Sequence, residues 1–245
     1  MDAFSRSGLL LGKNAMEKLK NAKVAVFGLG GVGGFVVEAL ARTGVGSLEL
    51  IDHDTISLTN INRQILATHS TIGMAKAEAA RLRVLDINPQ AEVVARQEFF
   101  SPDTAANFDF AGYDYVVDAI DTVTGKLALV TACQKAGTPI LSCMGTGNKV
   151  DPTKFQIADI SKTSICPLAR IMRKECAKRG IRHLKVLFST EDPIAPEKTD
   201  EPLPEGRRAL PGSVAYVPSV AGLMIAGEVI RECLANLPAT NTHTS

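Results

Sequence analysis

Short apolar runs alternate with longer segments of helical period from residue 22 to residue 142. Val24, Ala25, Val26 and Phe27 form an unbroken apolar run, which suits a strand buried on both faces of a parallel sheet. Residues 35–41 then carry the spacing of a helix. The pattern repeats with a strand at 47–52, a helix opened by Thr71-Ile72-Gly73-Met74-Ala75-Lys76 and stopped near Ile87 by Asn88-Pro89, and a strand at 92–96. A small helical segment is expected after Ser101-Pro102, then a buried strand over 113–121, a helix over 123–136 and a strand over 139–142. Such alternation predicts an α/β fold: a Rossmann-like, mostly parallel sheet with helices on both faces. Upstream, residues 9–20 read as an amphipathic helix, with Arg6 before it in a mobile arm.

Beyond Gly145 the pattern changes. Residues 155–160 alternate like a half-exposed strand, which is expected to be antiparallel. A helix with a basic face follows: at 100° per residue Arg170, Arg173, Lys174 and Lys178 fall within an arc of about 140°, with Leu168, Ala169, Met172 and Cys176 opposite. Residues 191–212 hold five of the twelve prolines and six acids, the mark of a surface loop or crossover. An apolar helix from Pro218 to Leu234 must return to the same core, and Thr240 to Ser245 form a polar tail. One domain over 1–245 is expected, with a nucleotide core at 22–142 and an extension at 143–237 that extends the sheet with antiparallel strands and a C-terminal helix.

The first strand stops at Gly28-Leu29-Gly30-Gly31-Val32-Gly33. Gly28 suits a tight turn, Gly30 and Gly31 a close backbone approach to phosphate, and Gly33 close packing of helix on strand. The helix N-terminus would meet the phosphate with unpaired N–H groups. Asp52 ends the second strand 24 residues after Gly28, where a ribose hydroxyl needs an acceptor. The pair points to an adenine nucleotide and leaves NAD, FAD and ATP open.

Composition adds a few bounds. The 245 residues are 45% hydrophobic with a net charge of +1, enough for one or two globular domains with ample core. Within that balance, residues 170–185 hold seven basic residues, Arg170, Arg173, Lys174, Lys178, Arg179, Arg182 and Lys185, against one acid, Glu175. This asymmetry suits a phosphate-binding surface for nucleic acid. Cysteines at 133, 143, 166, 176 and 233 form no Cys-x-x-Cys pair, so a reducing cytoplasm is expected, with structural thiols and no zinc. No secretory leader is apparent. The longest apolar stretch, Val214 to Ile230, is interrupted by Pro218, Ser219 and Glu228 and reads as a buried helix, with membrane contact a minor alternative.

Together, the glycine cluster, Asp52-x-Asp54, Asn60-x-x-Arg63-Gln64, Lys76 at a helix start and Asp118-Ala-Ile-Asp121-Thr resemble the adenylating fold of ubiquitin-activating enzymes and of the bacterial molybdopterin- and thiamine-pathway activators, over about residues 5–150. The segments Asn21-Ala-Lys-Val-Ala-Val-Phe-Gly, Glu38-Ala-Leu-Ala-Arg-Thr-Gly, Asp159-Ile-Ser-Lys-Thr and Val186-Leu-Phe-Ser-Thr-Glu191 make the whole chain similar to the tRNA threonylcarbamoyladenosine dehydratase family.

The resemblance implies that ATP adenylates a carboxylate. It gives Arg63 and Lys76 the phosphates, Asp121 the Mg²⁺, Asp52 the ribose, and Asp54, Asn60 and Gln64 further nucleotide contacts. It makes Arg6 an arginine that reaches the phosphates, in relatives from the partner subunit of a dimer. It further implies a threonine carboxylate on position-37 adenosine of tRNA, activated as an acyl-adenylate and attacked by a ureido atom of the same group, with AMP released. Two other classes compete: an activator of a ubiquitin-like or sulfur-carrier protein, and a nicotinamide oxidoreductase. A dehydrogenase has no need of Asn60, Arg63, Lys76 and Asp121 together, and the basic face favours RNA over a carrier protein. A sulfur-transfer partner remains open, and no membrane association is expected.

Overall fold

The computed structural model of the chain describes residues 2–197 and 211–235. Seven strands form one sheet in the order β3-β2-β1-β4-β5-β7-β6: β1 (Lys23–Phe27), β2 (Ser47–Ile51), β3 (Glu92–Arg96), β4 (Tyr115–Asp118), β5 (Ile140–Cys143), β6 (Phe155–Asp159) and β7 (Lys185–Ser189). All neighbouring pairs are parallel except β6 on β7, where Ile157 lies opposite Leu187. β1 is apolar throughout because its residues serve two cores in turn. Val24 and Val26 join the layer under one set of helices, while Ala25 and Phe27 join an aromatic cluster with Phe100, Phe108 and Phe110 on the other face. In that cluster Phe27 meets Phe100 edge to face at 4.9 Å.

Helices α1 (Ser5–Leu11), α2 (Lys13–Asn21), α3 (Gly33–Thr43), α4 (Lys76–Ile87), α5 (Val123–Ala136), α6 (Pro167–Lys178) and α7 (Tyr216–Leu234) cover the sheet. α3 lies between α4 and α7 on one face, and α5 lies beside α6 on the other. The extension at 143–237 continues the same sheet, since β7 pairs with β5.

Four expectations need correction. The N-terminal helix is two helices, broken at Gly12, whose φ of +87° a side chain rarely adopts. Arg6 therefore sits on α1 rather than in a mobile arm. α4 starts at Lys76, not Thr71, because Gly73 takes a φ of +87° and Ala75 bridges to Thr55. The extension contributes one antiparallel strand, β6, while β7 is a parallel strand that the apolar pattern left unassigned. Residues 198–210 of the proline-rich segment and the polar tail lie outside the described residues.

Candidate active site

The strand order reverses between β1 and β4, and ligands of open α/β sheets bind at such a point, beyond the C-terminal strand ends. A cavity of about 1260 Å³ opens there. Its rim carries the glycine turn after β1, Asp52 and Asp54 after β2, Asp121 after β4 and residues 143–149 after β5.

Gly28 has a φ of +88°, and a Cβ added there would stand 2.6 Å from the Ala119 carbonyl. At Gly33 a Cβ would stand 1.8 Å from the Gly28 carbonyl, so only glycine lets α3 start this close to the strand. Gly30 and Gly31 line the cavity between them with backbone alone. Asp52 is buried and pins both loops: its carboxylate accepts from the Leu29 N–H at 2.7 Å and the Asp54 N–H at 2.9 Å.

Cations follow on the 58–76 segment. Buried Lys76 donates from Nζ to the Asp54 carboxylate at 2.7 Å. The Arg63 guanidinium donates to the Thr59 carbonyl at 2.9 Å and to Asn62 Oδ1 at 3.0 Å, which orients it along the cavity wall. Asn60 is buried and accepts from the Ser57 N–H, closing the turn that carries Arg63 and Gln64. The Gln64 side-chain oxygen is buried with no hydrogen-bond partner among the described residues. An unsatisfied buried acceptor is costly, and a turn of the Gln64 amide would present it to a nucleotide amine or hydroxyl in the cavity.

Of the two carboxylates that β4 delivers, one faces the cavity. Asp118 is fully buried, paired with Lys126 at 3.1 Å, and accepts from Ser142 and from the Ile120 N–H. Lys126 also donates to the Cys143 carbonyl at 2.7 Å, so this network ties the ends of β4 and β5 beneath the cavity floor. Asp121, three residues on, is exposed on the cavity rim. Sequence reasoning missed Lys126, although a lone lysine amid the apolar positions of α5 was the available signal. It also missed His53 and Phe99, which line the cavity edge to face at 4.8 Å, and Lys149, a buried cation in the far wall.

Cys143 and Cys166 line the cavity, and burial pushes the Cys143 thiol up to about 12, far from the thiolate form. Asp52, His53 and Asp54 stand close enough together to share a cation, but Asp52 is committed to backbone N–H groups and Asp54 to Lys76.

The remaining site candidates lie outside the cavity. Arg6 is exposed on α1 and is not among the lining residues. Arg170, Lys174, Lys178, Arg179 and Arg182 are exposed on and just after α6, whose first turn, Pro167 and Leu168, reaches the cavity. Lys178 and Arg179 hold the Glu175 carboxyl down to about 2. Arg173 and Lys185 depart from a common phosphate-facing stripe. Arg173 is half-buried and donates to Thr163 O and Oγ1 at 2.8 and 2.7 Å. Lys185 on β7 pairs with Glu228 at 2.6 Å and with Glu232, so its charge is neutralised against α7.

A family model described as the ThiF family matches residues 4–244. The tRNA threonylcarbamoyladenosine dehydratase of Bacillus subtilis (strain 168) is 45% identical over 242 residues, covering 96% of this chain and 95% of that protein. The crystal structure of Escherichia coli tRNA N6-threonylcarbamoyladenosine dehydratase in complex with ATP superposes with a TM-score of 0.86 at 34% identity, covering 95% of this chain and 94% of the other. Its complex with AMP matches equally well.

Proposed function

The chain belongs to the ThiF family and, within it, to the tRNA threonylcarbamoyladenosine dehydratases, and on that premise we propose that the cavity catalyses ATP-dependent dehydration of N6-threonylcarbamoyladenosine in tRNA through an acyl-adenylate. One observation carries the reading: the bare glycine backbone, Asp52, Gln64, Arg63, Lys76 and Asp121 surround a single cavity. Its volume of about 1260 Å³ exceeds the roughly 300–1,000 Å³ of a site for one small ligand, which leaves room for ATP and a modified base together.

Each group has a task that its position suits. Asp52 accepts from the ribose, and the Gly28–Gly33 turn and the start of α3 receive phosphate. Gln64 accepts from a nucleotide donor, with Asn60 holding its turn. Lys76, kept in place by Asp54, and Arg63 neutralise the phosphates as carboxylate and triphosphate approach one another. The exposed Asp121 carboxylate, an oxygen donor of the kind that binds Mg²⁺ through few protein ligands, would hold that ion, which supplies charge neutralisation of the pyrophosphate. One carboxylate oxygen attacks the α-phosphorus and pyrophosphate departs. A ureido atom of the same group then attacks the activated carbonyl and expels AMP, and the ring closes with net loss of water. Because both reactants belong to one molecule, the second step gains the effective molarity of an intramolecular reaction. No cysteine is required, consistent with the protonated state of Cys143.

The exposed cations Arg170, Lys174 and Arg182, on and just after the helix whose first turn reaches the cavity, suit tRNA phosphates, with Lys178 and Arg179 shared with Glu175, and the 143–237 extension carries that surface. Leu9 and Leu10 are 88% and 85% exposed on α1, an apolar pair suited to a second copy of this chain. In such a homodimer the resemblance gives Arg6 the partner's phosphates. The cytoplasm is the compartment that supplies this tRNA, and a sulfur-transfer protein is a further candidate partner. The test is to incubate the protein with ATP, Mg²⁺ and tRNA carrying the threonylcarbamoyl group, then weigh the digested nucleosides. A loss of one water that needs ATP and disappears in Lys76→Ala and Asp121→Ala supports the reading; turnover unchanged in either variant would refute these roles.

A further inference from the structure

Lys149 is 4% exposed, yet it forms part of the cavity wall. Its Nζ donates to the Glu191 backbone carbonyl at 2.5 Å, and among the described residues no carboxylate comes within ion-pair distance of it. The Glu191 carboxylate is spent elsewhere, accepting from the Val150 and Asp151 N–H groups at 2.9 and 3.1 Å. A buried ammonium with no carboxylate partner among the described residues is expensive, and the cost is offset when an anion binds beside it.

The loop that presents Lys149 is held firmly. Asn148 takes a φ of +60°, and exchanges two hydrogen bonds with Gly212, donating from its N–H at 2.8 Å and accepting at Oδ1 at 2.6 Å. Its carbonyl accepts from Ile194 at 2.8 Å. A strained backbone fixed by three bonds next to a buried cation is an arrangement found at binding sites.

Sheet order separates this cation from the phosphate machinery. Asp52 follows β2, the glycine turn follows β1, Asp121 follows β4 and Lys149 follows β5. Ribose, phosphates and metal would therefore occupy the β2-to-β4 side, with Arg63 and Lys76, and Lys149 stands beyond them. We propose that Lys149 binds the carboxylate of the second substrate, the group to be activated, and so places it against the α-phosphorus. This inference rests on the function proposed above and adds a specificity-determining residue to it.

Two anticodon stem-loops make the test, one carrying N6-threonylcarbamoyladenosine and one carrying the same base with its carboxylate replaced by a carboxamide. The wild-type protein is expected to bind the acid about 10- to 100-fold more tightly than the amide, as suits a charged hydrogen bond. In Lys149→Met that preference should fall to within about threefold, while ATP affinity stays at the wild-type value. Lys149→Gln, which keeps a donor for the Glu191 carbonyl, serves if the methionine variant does not fold and should lose the preference likewise. A preference retained in both folded variants overturns the assignment of Lys149 alone, and a weakened ATP affinity places a phosphate there instead. If the wild type binds neither stem-loop, the substrate reading falls and the Lys149 assignment falls with it.

Discussion

Asp52 shows how one carboxylate serves fold and ligand together. Both its oxygens accept backbone N–H groups, from Leu29 and Asp54, and thereby join the phosphate turn to the segment that carries Lys76. Asp52→Asn keeps the shape but sets an amide against one of those donors and presents less charge to the ribose. ATP affinity should fall by about 1.5–3 kcal/mol, measured by calorimetry, and an unchanged affinity would place the ribose elsewhere. The thiols make a contrasting case, since burial raises Cys143 and Cys133 to about 12. Iodoacetamide at neutral pH should therefore leave Cys133 and Cys143 unmodified in the folded protein, as read by peptide mass, and rapid stoichiometric alkylation of Cys143 would contradict this. At this scale the sequence was legible where chemistry forces a residue type: Gly28, Gly33 and Asp52 stand at the turn and the strand end that their spacing marks, and Lys76, named by the resemblance, opens α4 in the cavity wall. Lys126 carried only a weak local signal, its apolar neighbours on α5, and Lys149 carried none that distinguishes a buried lysine from a solvated one. Their role comes from Asp118, Ser142 and Glu191, which are distant in sequence or on other elements.

Among the elements, α3 and α4 are joined by an ion cluster that makes a pH prediction. Burial by itself would raise the Glu38 carboxyl, but Arg83 and Arg42 outweigh it and hold the group below its ordinary range. A carboxyl lowered by folding contributes stability above its unfolded value of 4.5, and the contribution is lost as pH falls through the folded value. Glu38→Gln should thus cost about 1–3 kcal/mol at pH 7, discounted for the exposed arginines, and the difference from wild type should vanish well below pH 4.5. A gap in thermal midpoint that persists at the lowest pH would show that packing, not charge, joins the two helices. Periodicity revealed most elements because strands buried on both faces are apolar without interruption. It missed β7 because Lys185 reads with the basic stretch before it, whereas its ammonium is matched to Glu228 and Glu232 on α7, some forty residues later. The break at Gly12 and the delayed start of α4 both turn on glycines with positive φ, which a periodicity argument does not register.

In the whole molecule, the cavity, the basic surface beside it and the apolar pair on α1 define three separate tests. If Arg170, Lys174 and Arg182 meet phosphates, three contacts give a log-affinity against log-salt slope of about −2 on a single-strand-like backbone. Arg170→Glu with Lys174→Glu should flatten that slope and leave ATP binding untouched; an unchanged slope makes the face an ordinary solvated one. If the proposed homodimer packs through α1, Leu9→Asp with Leu10→Asp should shift the sedimentation of the protein from dimer to monomer, and a dimer that survives the pair would place the interface elsewhere. The central claim, activation of a carboxylate by adenylation, is tested most directly by oxygen transfer. With tRNA whose threonylcarbamoyl carboxylate carries ¹⁸O, one labelled oxygen should leave in AMP as the nucleoside loses one water. Label recovered in inorganic phosphate beside ADP, or AMP without label, would contradict an acyl-adenylate.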